Sequence, residues 1–288
     1  FLAAMASAER IFSLLDMPEE EDLRGASAGE TRSASYGNLE FENVTFRYPV
    51  ELEPDRPAAL QGMSFRIAAG ETLAVVGHTG AGKTTLTSLL FRFYEPEGGR
   101  ILLDGRDLRT IPKLELRERI GFVQQEVFLF SGTLRENLAL LRRSLDDEEI
   151  LAGCRRTGFD KVLARLPKGL DTELDERGSN LSMGERQILA FTRVFLQRPE
   201  ILVLDEATSS VDEESERLLQ QATAELMRGR SCLVIAHRLE TVRHASKILV
   251  LENGQLREEG THEGLLANGG IYARFVAMQN QHAEAGAP

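Results

Sequence analysis

Apolar and polar positions alternate from Leu39 to Arg47, with Leu39, Phe41, Val44 and Phe46 as the apolar set, and again from Met63 to Ile67. Alternation places one set of side chains on one face of a half-buried strand, so both segments are predicted to be antiparallel strands. Asp104-Gly105 follows Ile101, Leu102 and Leu103, and Asn253-Gly254 follows the run from Ile248 to Leu251. Both pairs tolerate the positive φ that the centre of a two-residue hairpin turn requires. Together these features predict a small antiparallel β-subdomain. Three short continuous apolar runs, Thr72 to Val76, Ile201 to Leu204 and Leu233 to Ala236, have the character of parallel strands buried on both faces.

From Ser131 to Phe195 the pattern turns helical, with Gly153, Gly158, Pro167 and Gly169 as punctuation and no comparable strand, which predicts a helical subdomain inserted over about residues 131–195. Near the end, Ile271, Tyr272, Phe275, Val276 and Met278 are placed on one helical face. Residues 1–16 are rich in alanine and leucine and predict a helix that stops at Pro18 and the acidic run Glu19 to Asp22; Leu23 to Asn38 has the Gly, Ser, Ala and Thr content of a linker. The expected organisation is a helix end and linker over 1–38, an α/β domain over 39–281, and a tail over 282–288.

Charge narrows the function. The chain has 45 acidic and 34 basic residues and a formal charge of -11, which argues against a nonspecific binder of nucleic acid or anionic membrane. Cys154 and Cys232 lie far apart without metal-ligand spacing, so neither a disulfide framework nor a zinc site is indicated, and a reducing cytosol fits. No apolar run approaches the ~18 residues of a membrane-spanning helix. The chain begins at Phe1 without a basic stretch ahead of an apolar one, so no secretory signal is read and a fragment of something longer is expected.

The sharpest motif is GHTGAGKT, Gly77 to Thr84, which fits GxxxxGK[ST] between the strand Thr72 to Val76 and a helical run from Thr84 to Phe93. Glycines at 77, 80 and 82 let successive backbone N–H groups curl around phosphate oxygens, where side chains would obstruct the approach, and the following helix adds its positive end. Lys83 is expected to neutralise the β and γ phosphates of a nucleotide and the Thr84 hydroxyl to ligate magnesium, with Thr85 in the same site. The run Ile201 to Leu204 ends in Asp205-Glu206, a carboxylate pair at the sheet edge that carries the phosphate loop. Asp205 is expected to hold the magnesium ion through water and Glu206 to orient or deprotonate the attacking water. The fold class is therefore α/β: a P-loop NTPase core with a mainly parallel sheet, a flanking antiparallel β-subdomain and the helical insertion.

LSMGERQ, Leu181 to Gln187, stands about twenty residues ahead of Asp205 and is similar to the LSGGQ signature of one family, with Met183 for the first glycine and Glu185 for glutamine. With it, residues 39–280 resemble the nucleotide-binding domain of ATP-binding cassette (ABC) transporters. The resemblance implies that Tyr48 is the adenine platform, Gln125 the Q-loop glutamine that contributes to catalysis and to magnesium, Asp212 the D-loop aspartate, and His237 the switch histidine beside Glu206. It also implies that Leu181, Ser182, Gly184 and Glu185 act on ATP held by a second cassette. Alone, Tyr48 reads as a strand aromatic, Gln125 as a loop residue whose register with Gln124 is open by one, His237 as a core histidine and Asp212 as a helix cap. Their joint order carries the resemblance.

ERIFSLLD near the start, TELDERG (Thr172 to Gly178) and THEGLLANGGIYARF near the end resemble exporters whose membrane domain precedes the ATPase in one polypeptide. That implies ATP-driven dimerisation at the cytoplasmic face of the cell membrane and a transmembrane partner fused ahead of residue 1. Because Met183 and Glu185 depart from the signature, a heterodimer is expected over a homodimer. Two rivals are a soluble cassette ATPase, which would want a basic surface, and a P-loop phosphotransferase, which has no use for Leu181 to Gln187.

Overall fold

The computed structural model describes residues 37–49, 57–124, 127–142, 144–205, 213–236 and 239–285, with scattered positions between 5 and 16. In chain order the strands are β1 (Leu39–Phe46), β2 (Leu60–Ile67), β3 (Thr72–Val76), β4 (Gly98–Leu103), β5 (Arg106–Asp107), β6 (Ile120–Val123), β7 (Gly132–Thr133), β8 (Glu173–Leu174), β9 (Ile201–Asp205), β10 (Ser231–Ile235), β11 (Lys247–Glu252) and β12 (Gln255–Gly260). They form a four-stranded sheet in the order β2-β1-β4-β5, a six-stranded sheet in the order β12-β11-β3-β10-β9-β6, and the short ladder β7-β8.

The four-stranded sheet is the expected antiparallel subdomain. The apolar set of β1 shifts from odd to even positions between Phe41 and Val44, where the pairing register also shifts and Asn43 adopts φ 50. This bulge returns Val44 and Phe46 to the face already occupied by Leu39 and Phe41, all four buried. Phe41 stacks on Phe65 of β2 at 4.4 Å between ring centroids. Asp104 (φ 52) and Gly105 (φ 79) join Leu103 to its partner Arg106, as the turn chemistry predicts.

The second predicted hairpin forms as well, with Asn253 at φ 51 and Gly254 at φ 75 between paired Glu252 and Gln255. Its location corrects the sequence reading: it closes the edge of the six-stranded sheet, not the β-subdomain. In that sheet β11, β3, β10, β9 and β6 are parallel and β12 alone is antiparallel. On one face Leu73, Val75, Val203 and Leu233 pack with the antiparallel sheet and with Leu86, Leu89 and Leu90 of the helix Lys83–Leu90. On the other, Ala74, Leu202 and Val234 pack with Leu226, Tyr272 and Val276.

The helical insertion has a core of its own, built from residues such as Leu134, Ile150, Phe159, Leu181 and Ile188. It is not free of strand, since β7 and β8 pair within it. Both cysteines are buried and free, and burial pushes the thiols up to about 12 at Cys154 and about 11 at Cys232, consistent with structural roles. The last helix, Ile271–Ala285, runs past the expected boundary at 281, and Met278 is exposed, not part of the buried face that holds Tyr272 and Val276. Of residues 1–16, Met5, Ala8, Glu9, Ile11, Phe12 and Leu15 are helical; Pro18, the acidic run and the linker to residue 36 lie outside the described residues. The chain then enters the domain through Gly37 and Asn38, whose amides both donate to Asp104 Oδ1 at 2.9 Å.

Candidate functional site

The phosphate loop leaves the carboxyl end of β3 and enters the helix Lys83–Leu90 through Gly82, which sits at the N-cap with φ 108. No side chain caps this helix and no acidic residue lies in its first turn. Its first N–H groups and positive dipole end are therefore left for an external anion. Lys83 folds back along the loop, its Nζ donating to the carbonyls of Gly77 at 2.6 Å and His78 at 3.1 Å. Burial holds this ammonium below the ordinary lysine range, while nearby Asp205 pulls it back up. An incoming phosphate would supply the counter-charge that the carbonyls only partly provide.

The protein's own packing adds a second reason for the loop glycines. A Cβ at Gly77 would lie 2.4 Å from the Leu251 carbonyl oxygen, and one at Gly82 2.9 Å from the Ala59 carbonyl oxygen, so the protein's own backbone excludes side chains there. Only Gly80, at φ +83 with open space around it, is constrained by conformation alone. The loop is braced from below by the Asn253-Gly254 turn. The Gly254 amide donates to the Ala81 carbonyl at 3.1 Å, its carbonyl accepts from the Gln61 amide at 2.8 Å, and a Cβ on Gly254 would lie 2.5 Å from Ala59 O. Sequence reasoning found this turn but not its task, because nothing local in Asn253-Gly254 signals a partner in the phosphate loop.

Along the sheet, Val75 pairs with Ile235 and Ile235 with Asp205, so Asp205 reaches the same edge as the loop two strands away, roughly 10 Å at the usual strand spacing. Thr84 is exposed in the first turn of the helix. A hydroxyl and a carboxylate are hard oxygen donors of the type magnesium accepts while keeping waters and phosphate oxygens in its other positions, so the residues fit that ion. Thr85 is buried, and its Oγ1 accepts from the Tyr48 hydroxyl at 3.2 Å. Tyr48 is held edge-on by Phe46 at 4.9 Å and by Tyr94 at 5.1 Å, an aromatic cluster whose third member was not singled out in the sequence.

The signature residues lie on the helical subdomain. Ser182 caps the helix Met183–Gln197 in a capping box: its hydroxyl oxygen accepts from the Glu185 amide at 3.2 Å, and the Glu185 carboxylate accepts from the Ser182 amide at 2.8 Å. The second Glu185 oxygen takes a 2.5 Å bond from Arg165. Leu181 is buried in the local core, whereas Ser182 and Met183 are exposed. A Cβ on Gly184 would lie 2.5 Å from Ser215 Oγ, so this glycine permits close packing on the helix Glu213–Met227. Tyr48, the phosphate loop, Lys83, Thr84, Thr85 and Asp205 are thus assembled together, and Leu181, Ser182, Gly184 and Glu185 form a separate turn. Gln125, Glu206, Asp212 and His237 lie outside the described residues.

A family model described as ABC transporter matches residues 60–209. The ATP-dependent lipid A-core flippase of Chromobacterium violaceum is 46% identical over 275 residues, 96% of this chain and 46% of the flippase. The fatty acid ABC transporter ATP-binding/permease protein of Mycobacterium tuberculosis is 44% identical over 274 residues, 95% of this chain and 42% of that protein. Among solved structures, a bacterial Atm1-family ABC exporter with ATP bound superposes with a TM-score of 0.82 at 38% identity, over 96% of this chain and 47% of that one. The chain spans less than half the length of these relatives.

Proposed function

The chain belongs to the ABC transporter family as its ATP-binding, ATPase domain, and from that premise we propose that it is the motor of an exporter, closing on a second cassette when ATP binds and separating after hydrolysis. One observation carries this reading. The chain holds a phosphate cradle with an uncapped helix N-terminus and, on a separate subdomain, an exposed turn at Ser182 that stands apart from that cradle.

In this reading the loop amides and Lys83 grip the β and γ phosphates, and Tyr48 stacks on adenine. Magnesium would be held by Thr84, Asp205 and Gln125, and when bound it draws negative charge from the phosphates. Glu206 takes a proton from the attacking water, with His237 beside it, and ADP and phosphate leave. The Ser182 oxygen already accepts from its own helix, so its proton is free to donate to the γ-phosphate of ATP on the partner. Asp212 belongs to the same junction.

The finer organisation is read as 1–38 for a helix end and linker, 39–281 for the ATPase, with its last helix continuing to Ala285, and the remainder as a tail, with a membrane domain encoded ahead of Phe1 and the motor on the cytoplasmic face of the cell membrane. The mycobacterial relative is an ATP-binding/permease protein, which supports the fused arrangement. Six hydrophobic spans encoded upstream would bear it out, and their absence would leave a separate subunit. Met183, exposed next to Ser182, is read as favouring a non-identical partner in the assembled transporter, and the purified chain as pairing with a second copy of itself in that partner's absence.

The test is phosphate release from the purified chain against its own concentration, with product analysis. Free phosphate whose rate rises faster than linearly is the expected result. Transfer of phosphate to a metabolite, or a rate per molecule independent of concentration, would overturn the two-cassette motor.

A further inference from the structure

Arg193 lies on the helix that begins at the signature turn and is 9% exposed. Its guanidinium donates to three oxygens, none a carboxylate: Nε to the Asn137 carbonyl at 2.8 Å, Nη1 to the Phe128 carbonyl at 3.1 Å and Nη2 to Asn137 Oδ1 at 3.0 Å. Burial alone draws its pKa down to about 10, which leaves it charged at neutral pH. A buried charge without a counter-charge among the described residues is a costly way to fill space, which an aliphatic side chain would do at lower cost. What the guanidinium adds is a rigid planar fork that fixes several acceptors at once.

Those acceptors belong to one segment. Asn137, 1% exposed, extends the fork by donating from Nδ2 to the carbonyls of Phe130 at 2.9 Å and Thr133 at 3.1 Å, while its Oδ1 also accepts from the Phe130 amide at 3.0 Å. The backbone from Phe128 to Thr133 is thereby bound to the helix through a single buried polar cluster. On the outside of this segment the rings of Phe128 and Phe130 are 61% and 47% exposed and meet edge to face at 4.9 Å. At the other end, Ser182 lies three turns away on the same helix, roughly 16 Å at 1.5 Å per residue.

We infer that Arg193 is a positioning residue that makes the helix Met183–Gln197 and the segment Phe128–Thr133 move as one body, so that engagement of the turn at Ser182 by nucleotide shifts the surface bearing Phe128 and Phe130. This inference rests on the motor reading, since it needs a partner's ATP at Ser182. It adds a route between the two that runs through the helical subdomain and not through the phosphate loop.

The test is amide hydrogen exchange of residues 128–133 in the 288-residue chain with and without magnesium ATP, with the KM for ATP and phosphate release measured on the same samples. In the wild-type chain ATP slows exchange in this segment by about fivefold or more, the low end of an allosteric coupling. Arg193→Lys keeps a charge but loses the fork, so it retains the KM for ATP and loses the ATP-dependent slowing. Asn137→Ser, which removes both donors to Phe130 and Thr133, shows the same loss. A wild-type chain that turns over ATP without any response at 128–133 overturns the inference, whether or not the variants fold, and so does a full response in folded Arg193→Lys. A wild-type chain that neither binds nor hydrolyses ATP overturns the motor reading, a failure visible in the kinetics and distinct from a silent segment.

Discussion

Two helix N-termini in this chain lie within glycine-bearing motifs, and they are finished in opposite ways. The helix Lys83–Leu90 starts at Gly82 with no capping side chain and no acid in its first turn, whereas the helix Met183–Gln197 starts at Ser182 with a complete capping box and Glu185 in its first turn. An uncapped N-terminus leaves amide donors and a partial positive charge for a ligand, while a capping box satisfies them internally. The first is a prepared anion site. The second is a finished helix end that can offer an outsider only its exposed hydroxyl proton and remaining amides, which suits a turn that completes a site on another molecule.

The strongest way to break this contrast is Lys83→Ala. If the Gly82 end is an anion site, removal of the ammonium lowers phosphate release by roughly two to three orders of magnitude, by analogy with loss of one preorganised charge-stabilising donor. ATP affinity should fall far more than adenosine affinity, as titration of both would read. An unchanged ATP affinity would mean that the uncapped end does not hold phosphate.

The two hairpin turns offer a matched comparison of the next size. Gly105 at φ +79 has nothing within 4 Å of an added Cβ, whereas Gly254 at φ +75 would place its Cβ 2.5 Å from the Ala59 carbonyl oxygen, beside the phosphate loop. Alanine at either position carries left-handed strain of about 1–2 kcal/mol. Gly254→Ala adds an overpacking cost of about 1–3 kcal/mol. Urea unfolding should rank Gly254→Ala below Gly105→Ala, and only Gly254→Ala should raise the KM for ATP. Equal KM values in the two variants would remove the turn from the support of the phosphate loop.

Tyr48→Ala sharpens the ligand side of the contrast. Loss of a stacked ring weakens ATP binding by about 1–3 kcal/mol and leaves a base-free triphosphate unaffected. Because the Tyr48 hydroxyl donates to Thr85 of the P-loop helix, Tyr48→Phe separates the two roles: it keeps the stacking and loses that bond. Equal losses for ATP and base-free triphosphate would show that Tyr48 braces the loop and does not contact adenine.

What could be read in the sequence follows the range of the forces involved. Turn conformations at Asp104-Gly105 and Asn253-Gly254 and the P-loop with its flanking strand and helix are set within a few residues, and they stand in the structure as predicted. The bulge at Asn43 coincides with a slip from odd to even apolar positions, which was read as plain alternation. β6 abuts the helix Lys113–Arg119 with no turn between and has Gly121 inside its apolar stretch, so it lacks the unbroken, bounded run that marked the other buried strands, and β11 was read only as one arm of a hairpin, although it pairs in parallel with β3. The support of Ala81 by Gly254 and of Phe128 by Arg193 depends on partners far along the chain, and no local pattern encodes them. The Ser182–Glu185 capping box, in contrast, is an S-x-x-E pattern that was available in the sequence and was not used.

That pattern changes the meaning of Glu185 and leads to the smallest expected effect. A glutamate in place of glutamine reads in two ways, as a like charge that faces a γ-phosphate and impairs the site, or as a first-turn acid favoured by the helix dipole and turned away from nucleotide. In this structure the carboxylate is turned to the Ser182 amide and to Arg165, as in the second reading, and both glutamate and glutamine serve at this position of a capping box. Glu185→Gln therefore keeps the box and loses an ion pair whose arginine is 66% exposed, worth no more than about 0.5–1 kcal/mol in stability. Turnover and its dependence on protein concentration should be unchanged. Glu185→Ala, which removes the return arm of the box, should cost about 1 kcal/mol in a urea titration and serves as the internal scale. Met183→Gly then tests what remains of the asymmetry: a rise in turnover would tie a non-identical partner to that side chain alone. Faster hydrolysis in Glu185→Gln would mean that the carboxylate swings toward nucleotide when the cassettes close, and would restore the charge argument that its position in this structure removes.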